Sequence, residues 1–254
     1  MGPRELWYEA SHDQRPRGRE AVSLPGVSVC FPCYNEEATI ADVLREAHQL
    51  LSASDLDYEI LVCNDCSTDR TAEIIAAVAK EVPELRVLTH AVNRGIFTTF
   101  EDLYAAATKD FVFLNSTDRQ WDTRLLFDML PLTASHDVII TTRKHKPYGP
   151  LRSVVSWGFN VLPRVLFGTK TYDAGSVKLT RREIIQRFPL VSTTPFSEAE
   201  RLIRATRAGY RIVELPVEVA AREHGPTRGV NLRLVGRSLV DVARVWRALR
   251  TERR

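Results

Sequence analysis

The sequence predicts an α/β protein: a mostly parallel β-sheet with helices on both faces. Three observations carry this. Short β-branched runs alternate with segments of helical apolar spacing from Val27 to Thr142. The spacing between those runs is that of strand–helix–strand units. Polar clusters rich in Asn, Asp and Ser follow successive strands, where ligands of an open parallel sheet bind.

Residues 1–25 are polar and rich in Arg and Pro, the composition of a flexible arm. Val27–Phe31 is an apolar run of strand length. Glu36–Leu51 places Ile40, Val43, Leu44, Ala47 and Leu51 on one helical stripe. Tyr58–Cys63 reads as a strand and Asp69–Lys80 as a helix, with Asp69 as its N-cap. Leu85–Thr89, Asp110–Leu114 and Asp137–Thr142 read as strands, with helices at Thr98–Ala107 and Thr123–Leu130. After Thr142 the pattern changes. Lys144–Gly149 is a polar Pro/Gly loop, and Leu151–Leu166 has helical spacing that Pro163 bends or ends. Tyr172–Leu179 reads as a strand, Glu198–Ala208 as a helix stopped by Gly209, and Tyr210–Val219 as a strand pair broken at Pro216. Leu232–Leu249 is an amphipathic helix. The expected division is therefore an arm (1–25), one folded domain (26–230) and a C-terminal helix (231–254).

Composition narrows the function. The chain has 254 residues, 44% apolar and 26% charged, which is ordinary for a globular protein. No run approaches the roughly 20 apolar residues of a membrane span, and the first residues lack the apolar core of a signal peptide. A cytoplasmic protein is the expectation. The net charge of +3 is unevenly spread. Residues 231–254 carry Arg233, Arg237, Arg244, Arg247, Arg250, Arg253 and Arg254 against Asp241 and Glu252, a charge of +5, so the rest is −2. A uniformly basic nucleic-acid binder is excluded.

The four cysteines, Cys30, Cys33, Cys63 and Cys66, form two C-x2-C pairs, the ligand spacing of a zinc ribbon. Their context argues against it. Cys30 and Cys63 each fall at the end of an apolar strand-like run, and neither pair is followed by the glycine of a tight knuckle. They read as small buried residues of neighbouring strands.

The polar clusters are Pro32–Glu37, Asn64–Asp69, Asn93–Gly95 and Asn115–Asp122. One such cluster is an ordinary helix cap; four on one sheet edge describe a ligand site. There is no G-x-G-x-x-G and no Walker loop, so the usual dinucleotide and P-loop readings lack support. A carboxylate after the fourth strand suits a divalent cation on a diphosphate.

These segments carry a resemblance. VSVCFPCYNEE (Val27–Glu37) and YEILVCNDCSTDRT (Tyr58–Thr71) resemble the first two strands of family 2 glycosyltransferases of the GT-A fold. Phe111–Asp122 stands where that family carries D-x-D-x-Q. Asp173–Lys178 and Gly209–Val217 match further family segments. The likeness spans about residues 26–230 and is strongest to the polyprenyl-phosphate sugar transferases of the dolichyl-phosphate mannose synthase kind. It implies an inverting transfer of a sugar from a nucleoside-diphosphate sugar to a polyprenyl phosphate or other lipid-linked acceptor.

The resemblance also implies roles. Pro32, Tyr34, Asn35, Glu36, Asp65, Asn93 and Thr117 would hold the nucleotide. Asp118, with Gln120 beside it, would meet a divalent cation, Mg2+ or Mn2+. Arg143, Arg152 and Ser156 would grip the acceptor phosphate, and Arg143 and Glu200 join Asp118 as catalytic candidates. Glu198 and Asp173 are alternatives to Glu200 for a hydroxyl acceptor, which needs a base. Ser116 and Asn64 stand where the family carries carboxylates, and Arg119 beside Asp118 is a candidate partner for the diphosphate. Two other readings stay open: a transferase for a soluble hydroxyl acceptor, and a non-catalytic sugar-nucleotide-binding module. The basic C-terminal helix fits either an anionic membrane surface or packing on the domain or a second subunit.

Overall fold

The computed structural model describes residues 24–143, 161, 163–170, 175–218 and 232–252. Its strands are β1 (Val27–Cys33), β2 (Tyr58–Asn64), β3 (Leu85–Thr89), β4 (Phe111–Leu114), β5 (Val138–Arg143), β6 (Lys178–Arg181) and β7 (Ile212–Val217). They form one sheet in the order β3-β2-β1-β4-β6-β5-β7. Every pairing is parallel except the two made by β6, which runs antiparallel between β4 and β5. The helices are α1 (Ile40–Ser52), α2 (Thr71–Glu81), α3 (Ile96–Ala106), α4 (Leu125–Met129), α5 (Arg182–Arg187), α6 (Phe196–Arg207) and α7 (Leu232–Thr251). A 3-10 turn, Leu130–Ala134, follows α4, and residues 163–167 are helical.

The central strands are unbroken apolar runs because both of their faces are covered. Val27, Val29, Phe31, Ile60 and Val62 pack on the side of α1 and α2. Cys30, Leu61, Cys63 and Val112 pack on the opposite side with Leu103 and Tyr104 of α3. The cysteines follow this alternation. Cys30 and Cys33, three apart in one strand, face opposite sides, so the first C-x2-C pair cannot close on one ion.

Several boundaries differ from the sequence reading. α1 starts at Ile40 rather than Glu36, because the Glu36 carbonyl closes a turn by accepting from the N–H groups of Thr39 and Ile40. The strand expected at Tyr172–Leu179 is observed as Lys178–Arg181, and α5 was not expected at all. Pro216 does not divide a strand pair. It lies within β7, at the sheet edge, where its missing N–H faces no partner strand. The arm before Leu24, the 144–149 loop and most of the 151–166 helix lie outside the described residues.

The expected apolar face of the C-terminal helix is split by the structure. Val242, Val245 and Leu249 pack against Phe167, Phe196 and Ile203, whereas Leu239 is 48% exposed. Asp241 is buried and accepts from the Thr193 backbone N–H at 2.9 Å. α7 is thus docked on α6.

At the opposite end of the strands from the polar clusters, Glu59 is buried among four donors. It accepts from Ser28 Oγ at 2.7 Å, Thr108 N at 2.7 Å, Thr108 Oγ1 at 2.8 Å and Arg86 Nη1 at 2.6 Å. Burial alone would raise its pKa; these donors outweigh it and pull the carboxyl down to about 2. A depressed folded-state pKa contributes stability above the unfolded value and loses it as pH falls. The contribution of Glu59 is on the order of 3 kcal/mol at neutral pH, lost between about pH 4.5 and 2. Urea unfolding of Glu59→Gln across pH 2–7 is expected to show lower stability at pH 7 and a flatter acid limb than the wild type.

Candidate active site

β1 pairs with β2 on one side and β4 on the other, all parallel. The chain order runs outward in both directions from β1, so the loops leaving β1 and β4 diverge and open a crevice. β6 runs the other way, which brings the residues entering it to the same edge. A cavity of about 670 Å³ lies there. Its walls come from the loops after β1, β2, β3 and β4, from the approach to β6 and from the start of α6.

Among the described residues, three that are not glycine have left-handed backbones: Asn35 (φ 55°), Cys66 (φ 58°) and Arg119 (φ 57°). One follows each of β1, β2 and β4, all at this edge. Such residues cost about 1–3 kcal/mol each and collect where a site dictates the backbone.

Of the residues expected to hold a nucleotide, Pro32, Tyr34, Glu36, Asp65, Asn93 and Thr117 line the cavity. Asn35 is not among the lining residues. It ties the β1 loop to the β2 loop, with its Oδ1 accepting from Thr68 N at 2.8 Å and its N–H donating to Ser67 Oγ at 3.0 Å. Asn64 is buried, and its Oδ1 accepts from Ser67 N at 3.1 Å. An amide oxygen does this capping as well as a carboxylate, which accounts for Asn here.

Asp65 is buried and saturated. It accepts from Arg94 N at 2.7 Å, Gly95 N at 2.8 Å and the His90 ring at 2.6 Å. Burial pushes its pKa up, but these hydrogen bonds prevail and the carboxyl sits below the usual range. Asp65 therefore builds the 93–95 turn; Gly95, at φ 85°, supplies the left-handed residue before α3.

Asp118 and Gln120 line the cavity together with Ser116, Thr117 and Trp121. The Asp118 carboxylate accepts from Ser116 Oγ at 2.6 Å and from Gln120 N at 3.2 Å. The serine that replaces a family carboxylate thus orients the one that remains. Arg119 points away from the cavity wall that Asp118 lines. Its guanidinium turns to α1, bonding Glu46 at 2.5 Å and Asp42 at 3.4 Å, and it is not among the lining residues. The left-handed φ at 119 is what separates its direction from that of Asp118.

Fit to a cation follows from this donor set. Among the described residues no group of three acidic, His or Cys side chains converges on one point. Asp118 offers one hard carboxylate at the cavity wall. That matches a Mg2+-like ion sharing its coordination with a diphosphate and water, which needs only one or two carboxylates.

On the acceptor side the structure corrects Glu200. It is fully buried outside the cavity lining, paired with Arg204 Nε at 2.8 Å and accepting from Val191 N and Ser192 N. Two positions, a little over half a helical turn, separate it from the residue that does reach the cavity, Glu198. Glu198 accepts from Lys178 Nζ at 3.0 Å and Tyr104 Oη at 3.2 Å, with Arg201 Nε 3.7 Å away. Burial raises its pKa, but Lys178 and Arg201 outweigh this and hold it down as a carboxylate. Lys178 was missed by sequence reasoning. Its signal was a lysine inside an apolar run, since buried lysines are almost always paired. Arg143 ends β5, and nothing is described of its side chain; Arg152, Ser156 and Asp173 lie outside the described residues.

Solved structures share this architecture. Glucosyl-3-phosphoglycerate synthase of Mycobacterium tuberculosis, in complex with Mn2+, UDP and phosphoglyceric acid, aligns with a TM-score of 0.68 at 18% identity, covering 87% of this chain and 78% of that one. The fold is therefore that of the GT-A glycosyltransferases. The sequence pattern of glycosyl transferase family 2 matches residues 28–188, and the chain belongs to that family. It is a glycosyltransferase. Dolichyl-phosphate beta-glucosyltransferase ALG5A of Trichomonas vaginalis is 26% identical over 228 residues, 80% of this chain and 71% of that protein. Undecaprenyl-phosphate 4-deoxy-4-formamido-L-arabinose transferase of Sodalis glossinidius is 26% identical over 218 residues, 84% of this chain and 66% of that protein.

The correction at Glu200 is measurable. Glu200→Ala strips buried Arg204 of one of its carboxylates, Glu252 being the other, and leaves two N–H groups unpaired. The expected cost is about 3 kcal/mol of stability, read as a lowered Tm, with the KM for the sugar nucleotide unchanged in the folded protein. An unchanged Tm with a large kcat loss would return Glu200 to the reaction centre.

Proposed function

We propose that the chain transfers a sugar, with inversion, from a nucleoside-diphosphate sugar to the phosphate of a polyprenyl phosphate on the cytoplasmic face of a membrane. The observation that carries the acceptor class is the state of Glu198. The carboxylate at the acceptor side of the cavity is held by Lys178 and Arg201 below its usual range. A carboxylate so stabilised is a weak base, poorly suited to deprotonate a hydroxyl. A phosphate is already anionic and needs no base. The names of the polyprenyl-phosphate relatives point the same way.

In this reading residues 26–230 are the catalytic domain and 231–254 the appended helix. Pro32, Tyr34, Glu36, Asp65, Asn93 and Thr117 form the nucleotide wall, and Asn35 braces it from behind. Asp118, oriented by Ser116 and flanked by Gln120, holds the cation. When bound, that cation offsets the negative charge gained by the departing diphosphate. Arg143, Arg152 and Ser156 grip the acceptor phosphate, for which the guanidinium fork is apt. A phosphate oxygen attacks the anomeric carbon from the face opposite the diphosphate. The bond to the diphosphate oxygen breaks, and the nucleoside diphosphate leaves.

The donor side is tested by thermal shift with UDP and GDP, each with Mn2+ or EDTA. A nucleotide at a hundred times its Kd adds about 2.7 kcal/mol of stability. The expected result is a Tm rise for one base that EDTA and Asp118→Ala each abolish. A rise without turnover would favour the non-catalytic reading, and no rise with either base would overturn the nucleotide-sugar donor. Turnover with a sugar hydroxyl but not with a polyprenyl phosphate would overturn the acceptor assignment.

Membrane contact would use the outward side of α7. Arg233, Arg237, Leu239, Val240, Arg244 and Arg247 are exposed there. Basic side chains with two aliphatics among them suit an anionic bilayer surface. Among the described residues, no helix is long and apolar enough to cross a membrane. Leu239→Glu with Val240→Glu is expected to abolish flotation with phosphatidylserine vesicles while leaving Tm unchanged. Undiminished flotation of this variant would remove α7 from the membrane contact.

A further inference from the structure

The cavity wall built by the start of α3 is held by a closed hydrogen-bonded circuit in which His90, Asp102 and Arg94, none of them given a role in the proposed transfer, join Asp65. His90 follows β3, and its side chain is only 8% exposed. Its ring lies between two carboxylates. Nδ1 is 2.6 Å from Asp65 Oδ1, and Nε2 is 2.9 Å from Asp102 Oδ2 on α3. Asp102 Oδ2 also accepts from Arg94 Nη1 at 2.7 Å. The backbone N–H of the same Arg94 donates to Asp65 Oδ1 at 2.7 Å. The Cys63 thiol, from β2, is the remaining titratable neighbour, with Sγ 3.5 Å from Nε2. Asp65, His90, Asp102 and Arg94 thus form a hydrogen-bonded loop that closes on itself through the Arg94 backbone.

The circuit sets a protonation requirement. A neutral imidazole has one donor nitrogen and one acceptor nitrogen. An acceptor nitrogen within hydrogen-bond distance of a carboxylate oxygen forms no bond with it and is repelled. Both links close only when both nitrogens donate, as in the imidazolium. The turn they secure belongs to the cavity: Asn93, Gly95, Ile96 and Phe97 line it. The side-chain and backbone ties of that turn converge on Asp65, including Asn93 Nδ2 to the Asp65 carbonyl at 3.1 Å and Gly95 N to Asp65 Oδ2 at 2.8 Å.

We infer that His90 is a positioning residue for nucleotide recognition: as an imidazolium it links Asp65 to Asp102 and holds the Asn93–Gly95 turn in place, so nucleotide affinity falls when His90 loses its proton. This rests on the nucleotide-sugar reading of the cavity. The neutral form must give up one link. Asp102 of α3 is then linked to Asp65 through Arg94 alone, and the wall presented by Asn93 and Gly95 loosens.

The test combines two measurements on the full chain between pH 6.5 and 8.5. One is calorimetric titration with UDP, or with GDP where UDP gives no heat. The other is amide hydrogen exchange at Arg94 and Gly95, corrected for the intrinsic pH dependence of exchange. Two variants accompany the wild type. His90→Phe keeps a ring but removes both donors. Asp102→Asn lets a neutral imidazole keep both of its links, since the amide donates to Nε2; the Arg94 bond, which shares Oδ2 with Nε2 in the wild type, must then pass to the amide oxygen. In the wild type, affinity is expected to fall on the order of tenfold over this range, with faster exchange at both amides. His90→Phe is expected to bind weakly at every pH. Asp102→Asn is expected to bind at pH 8.5 as the wild type binds at pH 6.5. Comparing it with the wild type also cancels the titration of the nucleotide itself. Parallel pH profiles for the wild type and Asp102→Asn would overturn the inference, as would exchange at the turn that ignores pH. If the turn loosens with pH while neither nucleotide binds at any pH, the donor reading fails. The role of His90 in recognition then falls with it, leaving the circuit as a tie between α3 and the β2 loop.

Discussion

The parallel pairing of β1 with β2 on one flank and β4 on the other is the constraint from which the rest follows. Parallel strands need crossovers, and the crossovers put helices on both faces. That in turn demands strands apolar on both sides, which is what Val27–Cys33 and Tyr58–Asn64 supply. Polar residues inside the strands must then find partners, as Ser28 and Glu59 do in each other, and most gather where the strands end. The reversal of chain order at β1 opens that edge into a crevice. The antiparallel β6 adds one feature. It delivers Lys178 to the same edge from the opposite direction, beside Glu198 of α6.

Within the crevice, most of the acidic side chains are occupied with building it. Asp65 is consumed by the 93–95 turn and by His90, and Glu198 by Lys178, Tyr104 and Arg201. Burial raises the cost of any unpaired charge, so each carboxylate is kept ionised by donors that the fold brings to it. This leaves Asp118 as the carboxylate best placed for an ion bridging to a ligand. Its orientation comes from Ser116, a residue whose identity reads in isolation as a loss. The left-handed Arg119 completes the arrangement by sending the neighbouring cation to α1. The positive charge nearest Asp118 in sequence bonds to Asp42 and Glu46.

The sequence by itself determined the sheet, the order of its first five strands and the loops that bear the site, because apolar runs and cap residues are local signals. It assigned Asp118, Asp65, Tyr34 and Glu36 to one sheet edge, and the four line one cavity there, since the loops after parallel strands gather at a single edge. The direction of individual side chains was decided by tertiary structure. Glu198 and Glu200 differ by two positions on one helix, which turns one toward the cavity and the other toward Arg204 and the 191–192 backbone. The C-terminal helix shows the same limit. Its amphipathicity was legible, but which stripe meets the domain depended on Phe167 and Phe196, which lie far from it in sequence. β6 was placed several residues early and α5 escaped notice, because a four-residue strand and a six-residue helix are too short to express a period. The circuit through His90 joins residues from β2, β3 and α3. No local pattern encodes it, because its energy exists only once the folded chain has brought those charges within hydrogen-bond distance.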